Sequence, residues 1–246
     1  MVASFLSRVL SFLGRQRPVV FHCYTTSVEA MTYAPIQRSS KFIPAWWQEL
    51  AKNKSLFDTS MKNCAGFKYL YEKSFTIPMW TEFDVMLDQT SSASQVGDLK
   101  TRVDLHSADQ RGTFAPEEKN LHLKLVSPWI ICCNEEVYCS WVPATWNNND
   151  MYNIQVLPAV VEYKYQNQTN VNILVKREPE QKHYRINLNQ PLAHIVPMTD
   201  RKFKVVLHLV SEKEYQERQM KFMPVLVAKY EKTKKHLQQC PHKFSN

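Results

Sequence analysis

The side chains best suited to metal ligation or acid–base work are the histidines: His22, His106, His122, His183, His194, His208, His236 and His242. A jelly roll that holds a metal in the cupin manner needs two histidines two apart on one strand and a carboxylate shortly after, all pointing inward. No His-x-His occurs in this chain. His106 and His122 can meet across neighbouring strands, with Asp104 or Glu117 nearby, but nothing in the spacing requires it. Satisfied strand histidines are the simpler expectation. Nucleophilic catalysis has no better support, since no G-x-S-x-G elbow is present. The carboxylate pairs Glu117-Glu118 and Glu135-Glu136 fall in turn-like stretches, where charge serves solvation. Asn147 to Asp150 lacks the spaced acidic ligands of a calcium loop. No catalytic residue, metal ligand or cofactor is therefore expected, which weighs against an enzyme without excluding one.

Composition narrows the classes further. The chain has 246 residues, of which 44% are hydrophobic and 12% aromatic, enough to bury a sizeable core without disulfides or metals. Only four glycines occur, which counts against a Gly-rich phosphate cradle. Thirteen prolines act as strand punctuation instead. The six cysteines show no CxxC spacing and read as reduced thiols of an intracellularly assembled protein. The net charge of +8 favours nucleic acid, an acidic membrane or an acidic protein as partner. No apolar run approaches the length of a membrane-spanning helix. Ser7-Arg8 interrupts the apolar start, so a signal peptide is not expected.

The elements that must position any site are mostly strands. In Asn120 to Tyr163, Leu121, Leu123 and Leu125 alternate with His122 and Lys124, the period of a half-buried strand. Trp129 to Cys133, Val137 to Val142, Tyr152 to Leu157 and Ala159 to Tyr165 follow, separated by Pro or Asn-rich turns. Val19 to Tyr24, Glu82 to Asp88, Asp98 to His106, Val171 to Lys176, Tyr184 to Leu188, Leu192 to Val196 and Phe203 to Leu209 read likewise. The Ser-rich Thr90 to Gln95 reads as a hairpin connection between Glu82–Asp88 and Asp98–His106. Brief helices are expected at Ser39 to Leu50 and Asn63 to Tyr71, and a loop at Ser107 to Lys119. Short strands at this spacing predict a mainly β fold, an antiparallel sandwich or jelly roll, over 18–210. Trp129, Trp141 and Trp146 read as packing.

Helices are expected at both ends. Residues 1–17 form an amphipathic pattern with Phe5, Leu6, Val9, Leu10, Phe12 and Leu13 on the apolar side. Such a short helix needs a surface to cover it, and a partner subunit is favoured over its own domain or a membrane. Residues 211–246 read as a basic helical segment, with Ser211 and Glu214 as a capping box and Pro224 as a break or kink. Lys229, Lys232, Lys234 and Lys235 form either a solvated helical face or a contact with nucleic acid or an acidic partner. The adjacent Trp46 and Trp47 differ by about 100° on a helix, so one face cannot hold both. Core packing is the first expectation for the pair, and partner contact the second.

The order of several motifs resembles a family of tailed-bacteriophage proteins, of marine and cyanophage type. The matching pieces are Phe42-Ile43-Pro44-Ala45-Trp46-Trp47; Met61-Lys62-Asn63-Cys64-Ala65-Gly66-Phe67 with Phe75-Thr76-Ile77-Pro78-Met79-Trp80; Leu123 to Ile131; Val156 to Val161; and Gln190 to Pro197. The resemblance implies a cupin-like or jelly-roll β core and brings no catalytic residue with it. It directs the functional expectation to a non-enzymatic virion component, such as a capsid, cement, connector or tail-associated subunit. Its implied partners are other virion subunits, and its implied location is the virion, with the host cytoplasm during assembly. The alternatives are a cupin-like metal-dependent enzyme acting on a small molecule or nucleotide, and an accessory protein that binds a host factor.

Overall fold

The computed structural model describes residues 17–51, 60–97, 101–114, 116–147 and 153–226. The strands are β1 (Val19–Thr25), β2 (Gln37–Arg38), β3 (Phe75–Pro78), β4 (Phe83–Leu87), β5 (Ser92–Val96), β6 (Arg102–Leu105), β7 (Asn120–Val126), β8 (Ile130–Cys132), β9 (Tyr138–Pro143), β10 (Ile154–Val156), β11 (Ala159–Glu162), β12 (Val171–Lys176), β13 (Lys182–Ile186), β14 (Pro191–Pro197) and β15 (Phe203–Leu209). The helices are α1 (Val28–Tyr33), α2 (Ala45–Glu49), α3 (Ala65–Glu72), α4 (Ala108–Arg111) and α5 (Glu212–Leu226). The protein is thus mainly β, as the alternation of apolar residues predicts.

Four sheets surround one core, in the orders β15-β1-β8, β10-β12-β7-β6, β11-β9-β14-β3-β2 and β13-β4-β5. Every sheet contributes to a single apolar cluster that runs from Val19 to Phe203. In β7, Leu121, Leu123 and Leu125 are all buried, which is the reason their period-2 spacing forms a strand. Phe21 of β1 shows how the sheets meet. Its ring lies 5.0 Å from Phe75 and 6.2 Å from both Tyr163 and Phe203.

Several expectations are corrected. The ladders are antiparallel except one: β1 runs parallel to β15 over seven residue pairs, from Val19↔Phe203 to Thr25↔Leu209. The Ser-rich stretch is itself strand β5, which pairs with β4, while β6 pairs with β7. Residues Ser92–Gln95 are exposed, so no apolar alternation marked them. The stretch read as a loop contains the short α4. Helix α5 continues through Pro224 to Leu226, so the chain does not break into two helices there. Ser211 does cap that helix, accepting from the Glu214 backbone N–H at 3.3 Å.

Candidate functional site

Two exposed tryptophans, Trp46 and Trp146, converge with Trp47 and Phe67 beside α2. Pro44, extended at ψ 143°, ends the preceding segment and starts this single helical turn. The turn carries Trp46 and Trp47 to different sides of one ring, Phe67 of α3. Trp47 stacks on Phe67 at 5.1 Å and 14°, and Trp46 meets it edge-on at 5.7 Å and 71°. Trp146 completes the cluster, 6.0 Å from Trp46 and 5.8 Å from Phe67. These are the offset and tilted geometries that the ring quadrupole favours.

Hydrogen bonds fix the indoles. Trp46 Nε1 donates to the Trp146 carbonyl at 2.9 Å, and Trp47 Nε1 donates to the Met61 carbonyl at 3.1 Å. Lys62 Nζ donates to the carbonyls of Trp47 at 2.9 Å and Gln48 at 2.7 Å, at the end of α2. It also sits 4.5 Å from the Trp47 ring, a cation–π contact. Phe67 is buried, but Trp46 is 37% and Trp146 45% exposed. Trp47 is half-buried against Phe67, as packing requires, whereas Trp46 is exposed, and Trp146 packs on the Trp46 and Phe67 rings from the solvent side. Trp129 and Trp141 are buried, as packing requires.

Beneath the aromatic surface lies a polar pocket of the core. Tyr71 packs 4.8 Å from Phe67 and edge-on to His194 at 5.0 Å. Its hydroxyl donates to Asn147 Oδ1 at 2.7 Å, and Asn147 Nδ2 donates to the Phe42 carbonyl at 2.5 Å. His194 Nδ1 lies 2.9 Å from Thr76 Oγ1 and 3.2 Å from Ser39 Oγ, which are themselves 2.7 Å apart. Ser74 Oγ donates to Ser39 Oγ at 2.7 Å and contacts the Leu70 carbonyl. Burial lowers the His194 imidazole from 6.5 to about 4, so it is neutral at pH 7. A serine beside a histidine is the beginning of a nucleophile–base pair. Here, however, Ser39, Ser74, Thr76 and His194 are each 0% exposed, so in this conformation no substrate atom reaches Ser39 Oγ. The group cross-links β3, β14 and the turn at Ser39–Phe42.

Other residues singled out in the sequence take structural roles. His106 and His122 do meet, with ring centroids 4.4 Å apart. The two nitrogens of His106 face amide oxygens, Gln110 Oε1 at 2.9 Å and Asn172 Oδ1 at 3.0 Å. Asp104 is paired with Arg102 at 2.8 Å and Lys124 at 2.9 Å. Among the described residues no group of three or more His, Cys, Asp or Glu is arranged to hold a metal. Glu135 and Glu136 are partly exposed to solvent, as expected, and are also ion-paired. Glu135 takes Arg201 in a two-pronged contact, and Glu136 takes Lys164 at 3.0 Å and the Tyr165 hydroxyl at 2.6 Å. Phe5, Leu6, Val9, Leu10, Phe12 and Leu13 lie outside the described residues, as do Lys229, Lys232, Lys234 and Lys235.

Sequence reasoning found Trp46 and Trp47 but missed Phe67 and Trp146 as their partners. The signal available was composition alone, because the four residues come from three separate segments. No protein-family model matches the chain, and no curated protein matches it.

Proposed function

We propose that this chain is a non-enzymatic subunit of a bacteriophage virion that acts through protein–protein contacts, with the Trp46–Trp146 surface as one contact face toward another virion subunit. The observation that carries the reading is the pre-ordered aromatic surface. The Trp46 and Trp47 indoles are already held by backbone carbonyls, so burying Trp46 against a partner costs little further side-chain entropy. Exposed, rigid tryptophans are the residue type that dominates binding energy at interfaces. The polar group around His194 is sealed in the core and holds elements together. The resemblance of the motif order to tailed-phage proteins is the ground for proposing a virion as the assembly.

Mass spectrometry of purified particles tests the proposal. The chain is expected in intact virions at a fixed ratio to the major capsid protein. Particles made with Trp46→Ala and Trp146→Ala together should contain much less of it, although the purified variant keeps the wild-type circular dichroism. Absence of the wild-type chain from the particles overturns the virion reading. Full incorporation of the doubly substituted chain overturns the assignment of this face.

A further inference from the structure

The outer face of the β15-β1-β8 sheet carries a second cluster, remote in sequence from the aromatic surface. Val19, Phe21 and Cys23 turn toward the core, so His22 and Tyr24 point the other way. Strand register then sets Tyr24 beside His208 of β15 and His22 beside Cys132 of β8. His22 Nδ1 lies 2.9 Å from His208 Nε2. The His208 ring stacks on Tyr24 at 4.5 Å and 16°. From α5, the Arg218 guanidinium carbon lies 4.0 Å from the Tyr24 ring. Glu214 holds that guanidinium at 2.7 Å, and Asn167 Nδ2 donates to the Arg218 carbonyl at 3.3 Å. The helix therefore meets this face of the sheet through Arg218 on Tyr24, the ring against which His208 stacks beside His22.

We propose that α5 is a pH-gated latch, docked on the sheet while His22 and His208 share a hydrogen bond and released when both imidazoles are protonated. Two imidazoles at this distance need one N–H donor and one lone pair. With both rings charged, each nitrogen carries a proton, and two like charges face each other beside a third cation, Arg218. The surroundings do not neutralise that charge. Glu214 is the acidic group of α5 that faces His208, and it is committed to Arg218. β1 adds Tyr24 and β8 adds Cys132, both uncharged in the acid range, and Lys204 on β15 is exposed and cationic. Burial first, then His22 and Arg218, hold His208 below its ordinary value, while Glu214 works in the opposite direction. A histidine depressed in the docked state favours docking above its free value of about 6.5, and that contribution is lost as pH falls below it. The latch governs the helix that joins the β core to the lysine-rich C-terminal sequence.

Hydrogen–deuterium exchange on the full chain tests the latch, with rates converted to protection factors that remove the intrinsic pH dependence. Between pH 7.5 and 5.0, protection at residues 213–219 should fall about ten-fold, the effect of one extra proton taken up on release. His208→Gln and His22→Gln keep a hydrogen-bonding side chain without a titrating proton. In His208→Gln, α5 protection should stay level over this range, and in His22→Gln it should fall by less than in the wild type, because burial and Arg218 still hold His208 down, while β7 behaves as in the wild type. Constant α5 protection in the wild type overturns the latch. So does an equal fall in the wild type and both variants, because another titrating group then drives the change.

Discussion

At the scale of single residues, His194 ties the stability of the fold to pH. It is neutral and sealed in the folded protein, and it accepts a proton freely when unfolded. A histidine lowered on folding stabilises the fold above its unfolded value of about 6.5, and that stability drains away as pH falls toward the folded value of about 4. At pH 4.5 the wild type should have lost about 2 kcal/mol to this one residue, relative to pH 7. Urea denaturation of the wild type and His194→Gln at the two pH values measures it. The variant should show a smaller loss by about that amount, and an equal loss in both proteins refutes the assignment. His194 was visible in the sequence only as one histidine of eight. Its contacts Thr76 and Ser39 lie 118 and 155 positions away, so no local pattern announced them. The His22–His208 pair, 186 positions apart, was invisible for the same reason.

At the scale of elements, legibility followed the burial of side chains. β7 and β12 were readable because one or both faces are apolar. β5 was not, because Ser92–Gln95 face solvent and the strand is defined by pairing with β4 alone. Beyond that ladder and the packing of Val96 on the core, its connection to β4 adds stability. Asp88 supplies it: Oδ1 accepts from the backbone N–H groups of Thr90 at 2.8 Å and Ser91 at 2.7 Å, and Oδ2 accepts from Ser91 Oγ at 2.6 Å. These donors hold the Asp88 carboxyl well below the usual carboxylate range. Arg177 braces the same turn by donating to the carbonyls of Asp88 and Ser91. Asp88→Ala should therefore fray β5 selectively. Amide exchange should quicken at residues 92–96, while the β4–β13 ladder keeps its wild-type protection. Uniform loss across β4, β5 and β13 would show that the turn supports the whole sheet and not the edge strand alone.

At the scale of the molecule, the parallel β1–β15 ladder joins residues 19–25 to residues 203–209 and was the least legible feature. Composition and spacing report which segments are strands, but the hand of a pairing depends on where the chain returns after nearly its full length. This ladder makes the fold strongly non-local, since the first and last strands need each other before either is covered. The core shares the same property. Val19, Phe75, Val85, Leu125 and Phe203 belong to one apolar cluster that draws on all four sheets, with no apolar boundary between an early and a late half. Removing any sheet exposes side chains of the other three, so partial unfolding has no favourable stopping point. The β core should unfold in a single cooperative transition. Tryptophan fluorescence reports both the buried Trp129 and Trp141 and the surface Trp46 and Trp146, and far-UV circular dichroism reports the strands. Their urea midpoints should coincide; an earlier fluorescence transition would mean that the aromatic surface and its helices open as a unit separate from the sheets.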